Sequence, residues 1–207
     1  MSLTSSAIIE DIKKMRKDGL ALVAYYYFDF HDANKCDIRG LLAFLLLQLS
    51  FDSDHFREML YELYKTSGDG FERPKISVLQ KCLKTMVERP GQPPIFIVMD
   101  ALDECPSTTG PPSDRDEVLD LVENLVRSNN PNLFICITSR PEQDIYAVLN
   151  GLTSESSHMS LHEEGGQRDD IINYVRHIVE TNRNMQRWPR DDKELIINTL
   201  SKRADGM

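Results

Sequence analysis

The feature that most constrains the fold is a short apolar run, residues 95–99, that ends directly at Asp100. Such a run, rich in β-branched residues, is typical of a strand buried on both faces of a parallel sheet. Two further runs, residues 20–30 and 133–137, are similarly rich in aliphatic and aromatic side chains. Helical patterns separate the three runs. Because parallel strands need crossover connections, the alternation predicts an α/β fold, with a three-layer parallel sheet flanked by helices.

Apolar residues at helical spacing place helices between and after these strands. A short fourth strand is predicted over residues 158–161. The chain divides into an α/β core, residues 1–162, and the beginning of a helical domain, residues 163–207. Besides a short helix after Pro141, the predicted helices cover residues 4–18, 38–50, 54–66, 76–87, 118–125, 167–183 and 191–203.

Charge and cysteine pattern exclude several classes of protein. The chain has 24 basic and 33 acidic side chains and a formal charge of −9, which gives no electrostatic footprint for nucleic acid or anionic lipid. Its longest apolar run, residues 40–49, is about half the length needed to cross a bilayer. The four cysteines show neither the spacing of a zinc site nor that of a disulfide framework. We expect a cytoplasmic protein with protein partners, no nucleic acid and no membrane.

Acidic side chains follow the strand over residues 95–99. Asp100 ends the strand, and Asp103 and Glu104 come directly after it. Ligands of parallel α/β sheets bind beyond the carboxyl ends of the strands, and carboxylate oxygens are ligands that Mg²⁺ prefers. One of the acids is also placed to orient or deprotonate an attacking water. The alternative is structural, since acids also favour the amino terminus of a helix.

A guanidinium follows the strand over residues 133–137. Ser139 and Arg140 come two and three residues after this strand, at the same edge of the sheet as the acids. Arginine forms bidentate, charge-assisted pairs with phosphate, so Arg140 and Ser139 are candidates for nucleotide binding. The alternative is a surface arginine before a helix that Pro141 starts and Ser139 caps.

Several segments together resemble the NACHT domains of P-loop NTPases. Residues 96–105 resemble their Walker B segment, and residues 134–141 resemble their sensor strand. Residues 26–30 are similar to the region between the P-loop helix and Walker B, residues 169–175 to the helix after the sensor region, and residues 203–207 to the start of a motif in the adjoining helical domain. The resemblance covers nearly the whole chain in order. It is strongest to the large fungal NACHT proteins of the STAND class that are called nephrocystin-3-like at this region.

The resemblance implies a role for each candidate residue. Asp100 would act on Mg²⁺ through water, Asp103 would orient the attacking water with Glu104 beside it, and Arg140 would sense the γ-phosphate. The intact family module uses Mg²⁺ with ATP or ADP. Such modules are switches that self-associate, and attached repeat or effector domains convert this into signalling.

The sequence departs from the family because no G-x-x-x-x-G-K-[ST] motif occurs in the 207 residues. Residues 2–6 resemble the positions just after that motif, so we expect a P-loop NTPase-like fold without the first strand and the P-loop. The phosphates would then lack their cradle of backbone N–H groups and its lysine. The strand over residues 133–137 would have an exposed edge, which favours self-association.

Two functions follow from these observations. The first is an ATP-dependent signalling switch that carries the Walker B and sensor motifs, and whose nucleotide binding is impaired because Walker A is missing. The alternative is a module that binds no nucleotide and no cofactor and acts through protein interaction, or a fragment of a larger NACHT/repeat protein. A third reading, a small α/β enzyme of another class, lacks a recognisable catalytic set.

Overall fold

The computed structural model describes most of the chain, namely residues 3–32, 36–107, 112–152, 157, 165–182, 185 and 187–203. The chain forms two compact units, Met1–Leu152 and Thr153–Met207. The predicted division at residue 162 stays a prediction, and so does the assignment of the second part to a helical domain.

The first unit alternates strands with helices, and the second unit contains two helices that pack against each other. In chain order the first unit has α1 (Leu3–Lys17), β1 (Leu22–Tyr27), α2 (Ile38–Ser50), α3 (Asp54–Thr66), α4 (Ile76–Val87), β2 (Ile95–Asp100), α5 (Asp114–Arg127), β3 (Leu133–Ile137) and α6 (Gln143–Leu152). The second unit has α7 (Gly165–Thr181) and α8 (Arg190–Arg203). Within the described residues, no helix combines the length and the apolar character needed to span a membrane.

The strands form a parallel sheet in the order β1-β2-β3. The register pairs Tyr27 with Asp100 and Met99 with Ile137, so the three strands end at the same edge. The predicted α/β fold with a parallel sheet is therefore confirmed. The common register also places the residues that follow β2 and β3 side by side.

Helices cover both faces of the sheet, because alternate strand residues face opposite sides. On one face Val23 and Val98 pack against Ile9 and Ile12 of α1. On the other face α2, α4 and α5 enclose a larger core, whose fully buried members include Leu41, Leu45, Leu83, Met86, Ile97 and Val118. This arrangement gives the three layers that the sequence predicts.

Helix starts agree with local capping chemistry in two predicted places. The Asp37 carboxylate accepts the backbone N–H of Gly40 at 2.6 Å, and the Ser53 hydroxyl caps α3. By contrast, α6 begins at Gln143, so it is not a helix that Pro141 starts and Ser139 caps. The predicted strand over residues 158–161 lies outside the described residues.

The strand β3 is the least covered part of the sheet. Among the described residues it pairs only with β2, and none of its five residues is fully buried. Phe134 is 49% exposed and stacks on Phe96 with ring centroids 4.9 Å apart. The strand β3 therefore forms an edge, and this edge strand leads directly into the loop that carries Arg140.

Candidate functional site

A buried carboxylate marks the carboxyl edge of the sheet. Asp100, the last residue of β2, is only 2% exposed. Its Oδ1 accepts a hydrogen bond from the Thr138 hydroxyl at 2.7 Å and another from the Ser5 hydroxyl. Thr138 directly follows β3, and Ser5 lies on α1 where that helix packs on the sheet. Three chain segments distant in sequence thus converge on one carboxylate.

The two hydroxyl donors explain why a carboxylate is tolerated there. An ionised group taken out of water is strongly destabilising unless hydrogen bonds or opposite charge replace its solvation. Ser5 is fully buried, so its hydroxyl is fixed on Asp100 by the packing of α1. The sequence predicts Asp100 at this edge, but it does not indicate its two hydroxyl partners.

The backbone makes a tight turn immediately after Asp100. Ala101 has φ 58° and ψ 50°, the left-handed conformation, and a single 3₁₀ turn over Leu102–Glu104 follows. The Ala101 N–H donates to the Thr138 hydroxyl oxygen at 3.1 Å, and the Leu102 N–H donates to the Thr138 carbonyl at 3.0 Å. This turn directs the two following acids back over the strand ends.

The left-handed turn gives a prediction about stability. Left-handed backbone costs an L-residue about 1–2 kcal/mol, whereas glycine adopts it freely but loses about 0.5–1 kcal/mol in conformational entropy. We therefore expect Ala101→Gly to raise the free energy of unfolding by about 0.5–1 kcal/mol in urea denaturation. The matched control is Ala147→Gly in the exposed face of α6, which should lower it by about 1 kcal/mol. A loss of stability in both variants would contradict strain at Ala101.

The structure brings two predicted site residues into direct contact. Asp103 Oδ1 accepts the backbone N–H of Arg140 at 3.0 Å, and its Oδ2 lies 3.3 Å from the Arg140 Nε. The Asp103 side chain is 9% exposed, whereas the Arg140 side chain is 79% exposed. The acid thus forms the fixed half of this pair, and the guanidinium is open to solvent.

The other two predicted site residues lie further out. Glu104 accepts the backbone N–H of Phe30 at 3.4 Å, so its carboxylate faces the loop after β1. Ser139 is exposed on the loop between β3 and α6. Asp100, Asp103 and Arg140 therefore form the centre of the site, with Glu104 and Ser139 at its margin.

Sequence reasoning missed a buried arginine beneath the acids. Arg115, near the start of α5, is 7% exposed. Its Nη2 donates to the Asp103 carbonyl at 2.7 Å, its Nε to the Cys105 carbonyl at 2.8 Å, and its Nη1 to the Asp144 carboxylate at 3.0 Å. Although partial burial opposes ionisation of Asp144, the hydrogen bond from Arg115 holds the pKa of this carboxyl below its usual value. Arg115 therefore ties the acidic turn to α5 and α6.

No local pattern identifies Arg115 in the sequence. It stands between Asp114 and Asp116 in the first turn of a helix, where a solvated arginine is the ordinary expectation. A buried guanidinium needs acceptors, and here two of the three are backbone carbonyls that any sequence would supply.

Cys105 ends the acidic turn and has no reactive thiolate. It is fully buried, and its thiol donates to the Cys36 carbonyl at 3.1 Å. Burial raises the pKa of the Cys105 thiol to about 12. A thiol in this state is a poor nucleophile, so Cys105 serves as core packing.

The described side chains do not supply a complete set of ligands for a metal ion. Within the described part of the chain, no group of three or more His, Cys, Asp and Glu side chains is arranged to hold a metal ion. Mg²⁺ commonly binds through one or two carboxylates, with waters and substrate phosphates as its other ligands. Asp100 suits contact through water, because its Oδ1 already takes two hydroxyl donors.

Comparison with known proteins places the chain in a family. The family model described as nephrocystin 3, N-terminal, matches residues 2–140, which is more than half of the 207 residues. The chain belongs to the nephrocystin 3 N-terminal family. No curated protein and no solved structure matches it. The nephrocystin-3-like part of the sequence resemblance is therefore confirmed.

The nephrocystin 3 N-terminal match spans every element that builds the site. It begins at residue 2, directly before the helix α1 that supplies Ser5, and it ends at Arg140, which pairs with Asp103. The matched region thus contains the whole sheet and all five predicted site residues.

Proposed function

We propose that this chain carries the Walker B and sensor part of a NACHT-type, ATP-dependent signalling switch. One observation supports this most strongly: Asp103 pairs with Arg140 at the edge where the parallel strands β2 and β3 end, and the buried Asp100 is the last residue of β2. In open α/β sheets this is the edge where ligands bind. An acid pair beside an exposed guanidinium suits a bound metal–phosphate group better than it suits packing.

Each residue has a role in this proposal. Mg²⁺ bound with ATP would neutralise part of the charge of the phosphates. Asp100 would act on the metal through water, since Ser5 and Thr138 fix the direction of its carboxylate. Arg140 would pair with an oxygen of the terminal phosphate, because its side chain is 79% exposed. Asp103, which still accepts the Arg140 backbone N–H, would orient the attacking water, with Glu104 and Ser139 at the rim.

The proposal covers only part of a nucleotide site. The 207 residues contain no Walker A motif, and a backbone N–H cradle with its lysine normally holds the β- and γ-phosphates. We therefore propose impaired nucleotide binding by this chain, with protein partners, self-association included, as the output of the switch.

A second function is favoured by the internal pairing of the site. Asp100 is satisfied by two hydroxyls, and Asp103 is satisfied by Arg140. Side chains that pair with one another so completely need no ligand to be stable. The alternative is therefore a protein-interaction module without nucleotide, in which these residues only shape the loops after the strands.

Thermal unfolding with excess Mg-ATP distinguishes the two functions. Ligand binding to the native state stabilises it by about 2.7 kcal/mol at a hundredfold excess over Kd. We expect Mg-ATP to raise the midpoint for the wild-type chain and to lose most of this effect in Arg140→Gln. The matched control is Arg127→Gln, which removes an arginine of similar exposure, 71%, at the end of α5.

Each outcome decides between the functions. A midpoint shift that survives in Arg127→Gln and disappears in Arg140→Gln supports the switch. A cooperative transition that Mg-ATP leaves unmoved supports the interaction module. An equal shift in both variants would assign the binding to a place other than this site.

A further inference from the structure

A concave site lies at the opposite edge of the sheet from Asp100. A cavity of about 420 Å³ opens at the amino-terminal ends of β1 and β2, where Leu22 and Pro93 form part of its wall. Its remaining wall comes from the end of α1, the turn between α2 and α3, and the segment 89–92. The volume lies within the range of small-molecule sites.

The cavity carries a net positive charge. Two guanidinium groups, those of Arg16 and Arg89, line it together with a single carboxylate, that of Asp52. Asp52 is committed to Arg16, whose Nε and Nη2 lie 2.8 Å and 2.7 Å from its Oδ1. The local positive charge favours an anion in this cavity, although the chain as a whole has a formal charge of −9.

Arg89 is the cation that remains available. Its guanidinium lies over the ring of Phe56, 5.9 Å from the centroid, and it pairs with no carboxylate among the described residues. Phe56 is 1% exposed, so the ring forms a fixed apolar support beneath the charge. A cation–π contact stabilises a guanidinium over the ring and leaves its N–H groups available to an oxyanion.

The wall beside Arg89 contains an unsatisfied polar atom. The Gln92 Nε2 donates to the carbonyls of Met86 and Val87, at 2.8 Å and 3.1 Å, which fixes the orientation of the amide. Its Oε1 is buried and accepts no hydrogen bond from any described residue. Because this oxygen is enclosed by protein, a ligand does not reach it from the cavity, and the two hydrogen bonds of the amide nitrogen fix the wall beside Arg89.

From these observations we infer that the cavity binds a small organic anion, whose carboxylate or phosphate group pairs with Arg89. The apolar part of the ligand contacts Leu22, Pro90 and Pro93. This site is separate from the proposed nucleotide site, because the two lie at opposite ends of the strands.

A ligand-observed NMR titration of the full chain tests the inference. The probes are 4-fluorobenzoate and phenyl phosphate, each compared with sodium chloride at equal ionic strength. We expect saturable binding that Arg89→Gln weakens by about tenfold or more, since hydrogen bonds to charged groups are the strong ones. Binding of one probe alone assigns the anion as a carboxylate or as a phosphate, and both results support the site.

The matched control is Lys81→Gln, which removes one positive charge from an exposed position on α4 outside the cavity. This variant should bind the probes like the wild type. Absence of saturable binding, or equal weakening in Lys81→Gln and Arg89→Gln, overturns the inference. Arg89 would then serve only as a counter-charge for the carboxyl end of α4.

Discussion

Replacing Arg115 by methionine is expected to lower the free energy of unfolding by about 3 kcal/mol or more. Methionine keeps much of the apolar stem but leaves the carbonyls of Asp103 and Cys105 without their donor. An unsatisfied buried acceptor costs about 1–3 kcal/mol. For a unit of about 150 residues, a loss of this size lowers the unfolding midpoint by about 6–12 °C, which calorimetry measures directly.

The matched variant Asp144→Asn distinguishes the contribution of Arg115's hydrogen bonds to backbone carbonyls from that of its ion pair with Asp144. The Asp144 side chain is 43% exposed, so loss of its charge should cost less than about 1 kcal/mol. We also expect Arg115→Lys to lose nearly as much stability as Arg115→Met, because one ammonium cannot replace a three-way fork. If Asp144→Asn were as destabilising as Arg115→Met, the ion pair would be the main contribution and the backbone bonds would be minor.

Asp100→Ala is expected to lower the free energy of unfolding by about 2–4 kcal/mol, because it leaves two hydroxyl groups without their acceptor in a largely buried site. A double-mutant cycle with Ser5→Ala isolates the bond between α1 and β2. We expect a coupling free energy of about 1–2 kcal/mol between the two positions. Urea denaturation of the four proteins in the cycle gives this value.

The comparison for that cycle is Asp100→Ala combined with Thr85→Ala. Thr85 is exposed on α4, and its hydroxyl bonds only within its own helix. Its effect should add to that of Asp100→Ala within about 0.5 kcal/mol. Simple additivity of Ser5→Ala and Asp100→Ala would mean that the contact between Ser5 and Asp100 contributes nothing to stability.

Strong periodic patterns made the sheet predictable. The strand over residues 95–99 and its terminal acid follow from an unbroken apolar run, and the structure extends β2 by only one residue, Asp100. The helix α2 follows equally from its apolar stripe and its cap at Asp37. The predicted strand over residues 20–30 was too long, because β1 ends at Tyr27 and a turn begins at Asp29. The aromatic residues continue to Phe30, whereas the hydrogen-bonded strand ends at Tyr27.

The contacts within the site were less predictable, because they join segments far apart in the chain. The pairing of Asp103 with Arg140 spans 37 positions, and that of Ser5 with Asp100 spans 95. The left-handed conformation of Ala101 could not be predicted from the sequence, because glycine or asparagine is the usual residue in that conformation. Residue types indicated the chemistry at the sheet edge, but only the three-dimensional structure shows which groups form hydrogen bonds with one another.

The exposed edge of β3 makes the site sensitive to local unfolding. Thr138 and Arg140 both follow this strand, so one opening of β3 withdraws a hydroxyl from Asp100 and a guanidinium from Asp103 together. Segments with little buried apolar surface open at a lower free energy than the global transition. Asp100 ends the better-protected β2 and keeps Ser5 of α1 as a partner, whereas Thr138 and Arg140 belong to the segment after the edge strand. We therefore expect local opening of β3 to remove one partner from Asp100 and one from Asp103 at a free energy below that of global unfolding.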